Sequence, residues 1–162
     1  MVSKEVLYKF RFIVLILSLI AIDLFSKNLA VINLMYGQTE PTIFPFIDFL
    51  LIYNSGIAFG IFDSDNSLNS QILLLVTLAI SFYLIWMIAS EDILKKKYAL
   101  SIIIAGAYGN IIDRAIDNKV TDFLHLEILD FSFFIFNLAD AFITIGAILL
   151  IYFELIYKPN NE

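Results

Sequence analysis

The residues Ile72–Ala89 form a run of 18 without a single charge. A helix rising 1.5 Å per residue needs about 20 apolar residues to cross a bilayer core roughly 30 Å thick. A run of this kind has few other homes, and it is not alone. Phe131–Phe153 is an apolar stretch of 23 residues interrupted only by Asn137 and Asp140. Two weaker segments complete the pattern. One starts near Phe12 and reaches spanning length only by including Asp23 and Lys27. The other, Tyr98–Ile112, ends at Asp113-Arg114, so it spans only with that pair at the interface. The expected spans are 12–32, 71–90, 98–114 and 132–155, within one domain covering 1–162. A hydrophobic content of 60% and a mean hydropathy of +0.88 agree, because soluble domains hold roughly 45–50% apolar residues.

Charge placement orients the spans. Lys4, Lys9 and Arg11 precede the first segment, Lys95, Lys96 and Lys97 separate the second and third, and Lys158 follows the fourth. Lys27, Arg114 and Lys119 fall towards the other face. Short cytoplasmic loops are enriched in Lys and Arg, so both termini are expected in the cytoplasm. No small-x-small cleavage site precedes Asp23, so the first segment reads as a retained helix rather than a signal peptide. The connection 33–70 is then extracytoplasmic. It carries turn signals at Tyr36-Gly37 and Glu40-Pro41, a strand-like or interfacial run Phe44–Tyr53, and a solvated turn Asp63-Ser64-Asp65-Asn66.

With no cysteine and one histidine, the chain has no thiol nucleophile, no disulfide and no site built from several histidines. A net charge of −6 excludes the clustered cationic face that nucleic acid requires. Chemistry must come from carboxylates, amides, hydroxyls, Lys and Arg.

Asp140 stands out among these. An acid at the centre of a membrane helix costs roughly 2.5–3.5 kcal/mol, so its position inside Phe131–Phe153 points to a wet or protein-lined interior and a functional use. Asn137 and Thr144 share its helical face and are the structural alternative, since they could satisfy it. Asp122, 18 residues upstream, approaches the same boundary and would read as a loop acid on its own. Asp23 and Lys27 are four apart and pair on one helix face, with Lys27 snorkelling to the interface or turned to a substrate. Asn110, Asp113 and Arg114 lie within one turn, and Gly106 and Gly109 permit a close helix crossing. On spacing alone that cluster reads first as a helix-end cap with an interfacial salt bridge. Asn118 suits a left-handed turn. His125, Glu127 and Asp130 read as solvated or interfacial charges. Membrane carboxylates also serve proton relays, so a small proton-coupled transporter or channel is the alternative function.

Five separated motifs then occur in one order: Asp23-x-x-x-Lys27, Asn54-Ser55-Gly56-Ile57-Ala58-Phe59-Gly60, Gly109-Asn110-x-x-Asp113-Arg114, Val120-Thr121-Asp122-Phe123 and Phe136-Asn137-Leu138-Ala139-Asp140. In this the chain resembles the lipoprotein signal peptidases (signal peptidase II), from Asp23 to about Gly146. The resemblance implies an all-α membrane protein of four transmembrane helices with a small extracytoplasmic β-sheet cradle and an interfacial helix. It implies an aspartic endopeptidase of the bacterial inner membrane, with its site near the outer face. Such an enzyme removes the signal peptide of prolipoproteins before a diacylglyceryl-modified Cys. Asp122 and Asp140 would be the catalytic pair, and Asp23, Lys27, Asn54, Gly56, Asn110, Arg114, Asn137 and Ala139 would bind substrate or shape the site. No metal or cofactor is implied. The implied partners are prolipoproteins and membrane lipids, with the chain acting as a monomer. Asn118 stands where a glycine is common in the family, and Thr121 where an aliphatic residue is usual.

Overall fold

The computed structural model describes residues 4–56, 67–129 and 131–156. Ile57–Gly60 of the second motif, the Asp63–Asn66 turn, Asp130 and Lys158 lie outside the described residues, as do residues 57–66 of the connection expected to hold an interfacial helix. Four helices run through the molecule: α1 (Lys4–Asn33), α2 (Ser67–Ser90), α3 (Leu94–Asp117) and α4 (Leu138–Ile156). All four are long and apolar enough to cross a membrane. Leu17, Phe82, Ile148 and Leu155 on α1, α2 and α4 are each more than half exposed, as side chains in contact with lipid would be. Helix α3 differs: its inner face, from Leu100 to Ile111, is buried against α4, α1 and α2.

The tight α3–α4 crossing has a cause in the sequence. A Cβ built on Gly106 would stand 2.3 Å from the Ala139 carbonyl oxygen, and one on Gly109 would stand 2.4 Å from Asp23 Oδ2. Only hydrogen fits at either place, as the pair of glycines suggested.

Four strands form one antiparallel sheet in the order β1 (Thr39–Pro41), β2 (Ile47–Asn54), β3 (Val120–Ile128), β4 (Phe131–Phe136). The sheet sits at the end of the bundle where α1 and α3 finish and α2 and α4 begin. Phe44–Tyr53 does contain a strand, as its aromatic and β-branched residues suggested. Glu40-Pro41, read as a turn, instead ends the edge strand β1, where proline's missing N–H removes no ladder bond. In β2–β3, Asp48 faces His125 and Ile52 faces Asp122, with an irregularity between Phe49 and Ile52.

The largest correction concerns the fourth apolar segment. The expected span 132–155 begins at Leu138, because Phe131–Phe136 is β4. Six residues rich in phenylalanine satisfy a hydropathy window and a strand equally well. Helix α3 is longer than the expected 98–114, and Arg114 falls inside its last turn. It stops where expected: Asn118 is left-handed, at φ 57°, and its N–H donates to the Arg114 carbonyl at 3.0 Å. Ser70 at the start of α2 donates to the Asn118 carbonyl and ties a second helix to this turn.

Candidate active site

The β4-to-α4 junction explains how Asp140 is tolerated. It is not at mid-helix. It is the third residue of α4, with Asn137 as the cap. The Asp140 N–H donates to Asn137 Oδ1 at 3.0 Å and the Asn137 N–H donates back to Asp140 Oδ2 at 3.2 Å. This reciprocal pair satisfies amides that a helix start leaves open, and the helix dipole favours a carboxylate there. The insertion cost assigned to a mid-helix acid therefore does not apply. The Ala139 N–H, next in the same turn, donates to Asp23 Oδ1 at 2.8 Å, so the first turn of α4 is bonded to α1.

Asp122 reaches the same place from β3 rather than from a loop. Its carboxylate is buried, at 2% exposure, and each oxygen accepts one amide. Asn137 Nδ2 donates to Oδ1 at 2.6 Å and Asn54 Nδ2 to Oδ2 at 2.9 Å. Burial and, next, the neighbouring Asp140 raise its pKa from 3.8 to about 7, against the opposing effect of the two amides. Asn137 is thus shared: its side chain holds Asp122 while its backbone and Oδ1 hold Asp140.

Behind the pair lies a layer that belongs to the scaffold. Lys27 Nζ lies 2.8 Å from Asp23 Oδ2 and 3.1 Å from Asp113 Oδ2, and donates to Asn110 Oδ1 at 3.0 Å. It is 3% exposed. Lys27 therefore does not snorkel; it turns inward and joins α1 to α3. Asn110 passes the connection on, donating from Nδ2 to Asp140 Oδ1 at 2.8 Å. Asp113 accepts from the Thr121 N–H at 3.1 Å and fixes the start of β3 one residue before Asp122. Its pairing with Lys27 and Thr121 replaces the Asp113–Arg114 bridge that their adjacency suggested. Arg114 instead donates from Nη2 to the Gly56 carbonyl at 3.2 Å, while Gly56 N–H donates to Asn54 Oδ1 at 2.9 Å. Arg114 Nε is buried and has no hydrogen-bond partner among the described residues.

Asn54, Asn110, Arg114, Asp122 and Asp140 line one cleft of about 670 Å³, whose remaining walls are largely apolar, with Leu73, Phe134, Phe136 and Ile143 among them. The site residues that the family resemblance marked fall in or directly behind this cleft. Sequence reading missed the clamp role of Asp113, which its position two residues after Ile111 could not reveal. It also misjudged His125, which is buried and bonded to Ser132 rather than solvated.

A four-helix membrane bundle with a polar, carboxylate-bearing cleft under a small sheet defines a multi-pass membrane protein of enzyme type. Two solved structures share this fold. One, a bacterial membrane enzyme solved by the in meso method at 2.3 Å resolution, gives a TM-score of 0.82 at 28% identity, over 94% of this chain and 92% of that one. A second, at 1.9 Å resolution, gives 0.79 at 28% identity, over 91% and 94%. The profile of the family described as signal peptidase (SPase) II matches residues 15–156. The lipoprotein signal peptidase of Pelagibacter ubique is 37% identical over 155 residues, 93% of this chain and 92% of its own. That of Neisseria meningitidis is 32% identical over 161 residues, 99% and 98%. The chain belongs to the signal peptidase II family and is a bacterial membrane peptidase.

Proposed function

We propose that this chain is an aspartic endopeptidase that cuts prolipoproteins before a diacylglyceryl-modified Cys, using Asp122 and Asp140 as its catalytic pair. One observation carries the reading: the buried Asp122 and half-buried Asp140 carboxylates, from different elements and both bonded to Asn137, line the polar part of one apolar cleft.

Two nearby carboxylates do not both ionise easily, so they hold one proton between them. The ionised member takes a proton from water as the water oxygen attacks the scissile carbonyl carbon. The protonated member gives its proton to the carbonyl oxygen. Collapse of the tetrahedral intermediate breaks the C–N bond, the nitrogen takes up a proton, and the amine leaves. Each positioned acid or base typically contributes about 10²–10⁴-fold. The neutral amides of Asn54, Asn110 and Asn137 orient the oxygens without forcing both to ionise. Arg114, permanently charged, suits holding a substrate carbonyl.

The apolar walls formed by Leu73, Phe134, Phe136 and Ile143 suit the signal helix and acyl chains of such a substrate. Lys/Arg placement supports cytoplasmic termini and a site at the outer face. The polar network gathers at that end, whereas the other end holds the Lys96–Glu154 pair. A proton relay across the membrane would need polar groups along α2, whose Ile72–Ala89 segment carries no charge.

The test is cleavage of a diacylglyceryl-modified prolipoprotein by purified protein in detergent, where no gradient exists. Wild type is expected to cut before the modified Cys, and folded Asp122→Asn and Asp140→Asn are expected to lose at least 10³-fold. A folded variant with near-normal cleavage would remove that residue from the chemistry.

A further inference from the structure

The sheet carries a second constellation that the peptidase chemistry does not use. Asp48 on β2 and His125 on β3 are cross-strand partners, and Glu127 is two residues beyond His125 on the same strand. Their ligand atoms all lie within 4.8 Å of one another. Strand alternation puts His125, three residues past Asp122, on the opposite face of β3 from the cleft.

Three carboxylate and imidazole groups close together often mean nothing more than an exposed polar patch. His125 is different. It is 5% exposed, and its Nδ1 is buried with no hydrogen-bond partner among the described residues. The other ring nitrogen is occupied: Nε2 lies 2.7 Å from Ser132 Oγ on β4. Glu127 Oε2 lies 3.7 Å from Nδ1, too long for a hydrogen bond. A buried nitrogen left without a partner is costly whichever way the proton sits. An imidazole oriented through one nitrogen by a polar neighbour, its other nitrogen unpartnered beside a carboxylate, is the arrangement of a metal-ligating histidine.

We propose that Asp48, His125 Nδ1 and Glu127 bind one divalent transition-metal ion of the zinc type. The donor set decides the class. One imidazole with two carboxylates suits Zn²⁺, which binds nitrogen and oxygen at about 2.0–2.2 Å, whereas Ca²⁺ and Mg²⁺ favour oxygen alone. Two carboxylates balance the charge of the ion beside a neutral ring. Closing onto bonds of that length asks the donors to move inward by about an ångström, within reach of side-chain rotation. Asp48 and Glu127 are both part-exposed, which leaves an entrance from solvent. The ion would fasten β2 to β3 on the face behind Asp122. It would be a structural brace, outside the peptidase chemistry, and independent of the proposed catalytic roles.

The experiment is Zn²⁺ titration of the full-length, detergent-solubilised chain after chelator treatment, read by calorimetry and by the thermal midpoint. Wild type is expected to bind one Zn²⁺ per chain, with a midpoint raised by several degrees and little response to Ca²⁺. His125→Ala, Asp48→Asn and Glu127→Gln are each expected to weaken Zn²⁺ binding at least tenfold and to abolish the midpoint shift. Glu127→Gln is the control for folding, because this part-exposed side chain can be replaced without opening the sheet, and its metal-free midpoint should match wild type. Folded wild type that binds no Zn²⁺, or variants that bind it as wild type does, would overturn the site.

Discussion

Replacing Asp122 by Asn should make the protein more stable and inactive, and the stability gain should depend on pH. Asp122 is 2% exposed, and burial followed by the neighbouring Asp140 raises its pKa from 3.8 to about 7. Between those values the folded chain keeps a proton that the unfolded chain has lost. Stability therefore falls as pH rises through this window, and the whole deficit is present above pH 7. A gap of about three units corresponds to about 4 kcal/mol. Asn carries no charge and removes that deficit, but it does not fit for free. Asp122 accepts one amide on each oxygen; Asn has a single acceptor, so one amide is left facing another NH₂, at a cost of about 1–3 kcal/mol. The net gain is about 1–3 kcal/mol at pH 8, falls to zero near pH 5 where the remaining deficit equals that cost, and reverses below it. At about 2–4 °C per kcal/mol for a chain of this size, the variant should melt several degrees higher at pH 8, with the difference closing on acidification. Thermal unfolding in detergent from pH 4.5 to 9, with cleavage measured on the same samples, reads both effects. A pH-independent offset between the two proteins would refute the perturbed titration. A variant that still cleaves would refute the catalytic role.

Gly109→Ala tests the helix crossing: its Cβ would meet Asp23 Oδ2 at 2.4 Å and Ala139 Cβ at 3.2 Å, and Asp23 is held on both oxygens by Lys27 and the Ala139 N–H. A loss of about 2–4 kcal/mol is expected, read as a lower midpoint, and an unchanged midpoint would show that the crossing has slack. Asn137→Ala removes a helix cap and the amide that holds Asp122, so about 2–3 kcal/mol of stability should go. The rate at saturating substrate should drop at least tenfold with KM little altered; a change confined to KM would make Asn137 a substrate-binding residue.

How much of this was legible beforehand depends on range. The four apolar helices follow from local composition, and the stop at Asn118 from one residue's tolerance of the left-handed region. The strands β3 and β4 were not visible, since Phe131–Phe136 satisfies a hydropathy window whether helical or extended, and the run of apolar residues hides the boundary at Asn137. That one error produced another: Asp140 looked costly because it was placed mid-helix, when a capping pair three residues apart was already present in the sequence as Asn137 and Asp140. The site residues that the ordered motifs marked come together in and behind one cleft. Their partners were not readable. Lys27 could be paired with Asp23 at four residues' spacing, but its bonds to Asn110 and Asp113 cross 83 and 86 positions of chain, and only the packing of α1 on α3 creates them.

The division between cations and amides in this network has a chemical consequence. A Lys or Arg bonded directly to a carboxylate favours its ionised form, and a pair of acids that must share one proton is poorly served by such a neighbour. Here the direct donors to both carboxylates are amides: Asn54 and Asn137 on Asp122, the Asn110 side chain and Asn137 backbone on Asp140. Lys27 acts one bond further back, on Asn110 Oδ1, and is itself bonded to Asp23 and Asp113. Its charge is spent on two acids that keep the helices and β3 in position. An amide side chain also keeps its donor and acceptor through a change of protonation, so the same contacts can serve both states of the pair. Exchanging Asn110 for a cation would bring charge directly to Asp140. Amides nearest the carboxylates and charge behind them is therefore the arrangement that the proposed proton-sharing pair calls for, and the folding of α1, α3, β3 and α4 around Asn110 and Asn137 is what builds it.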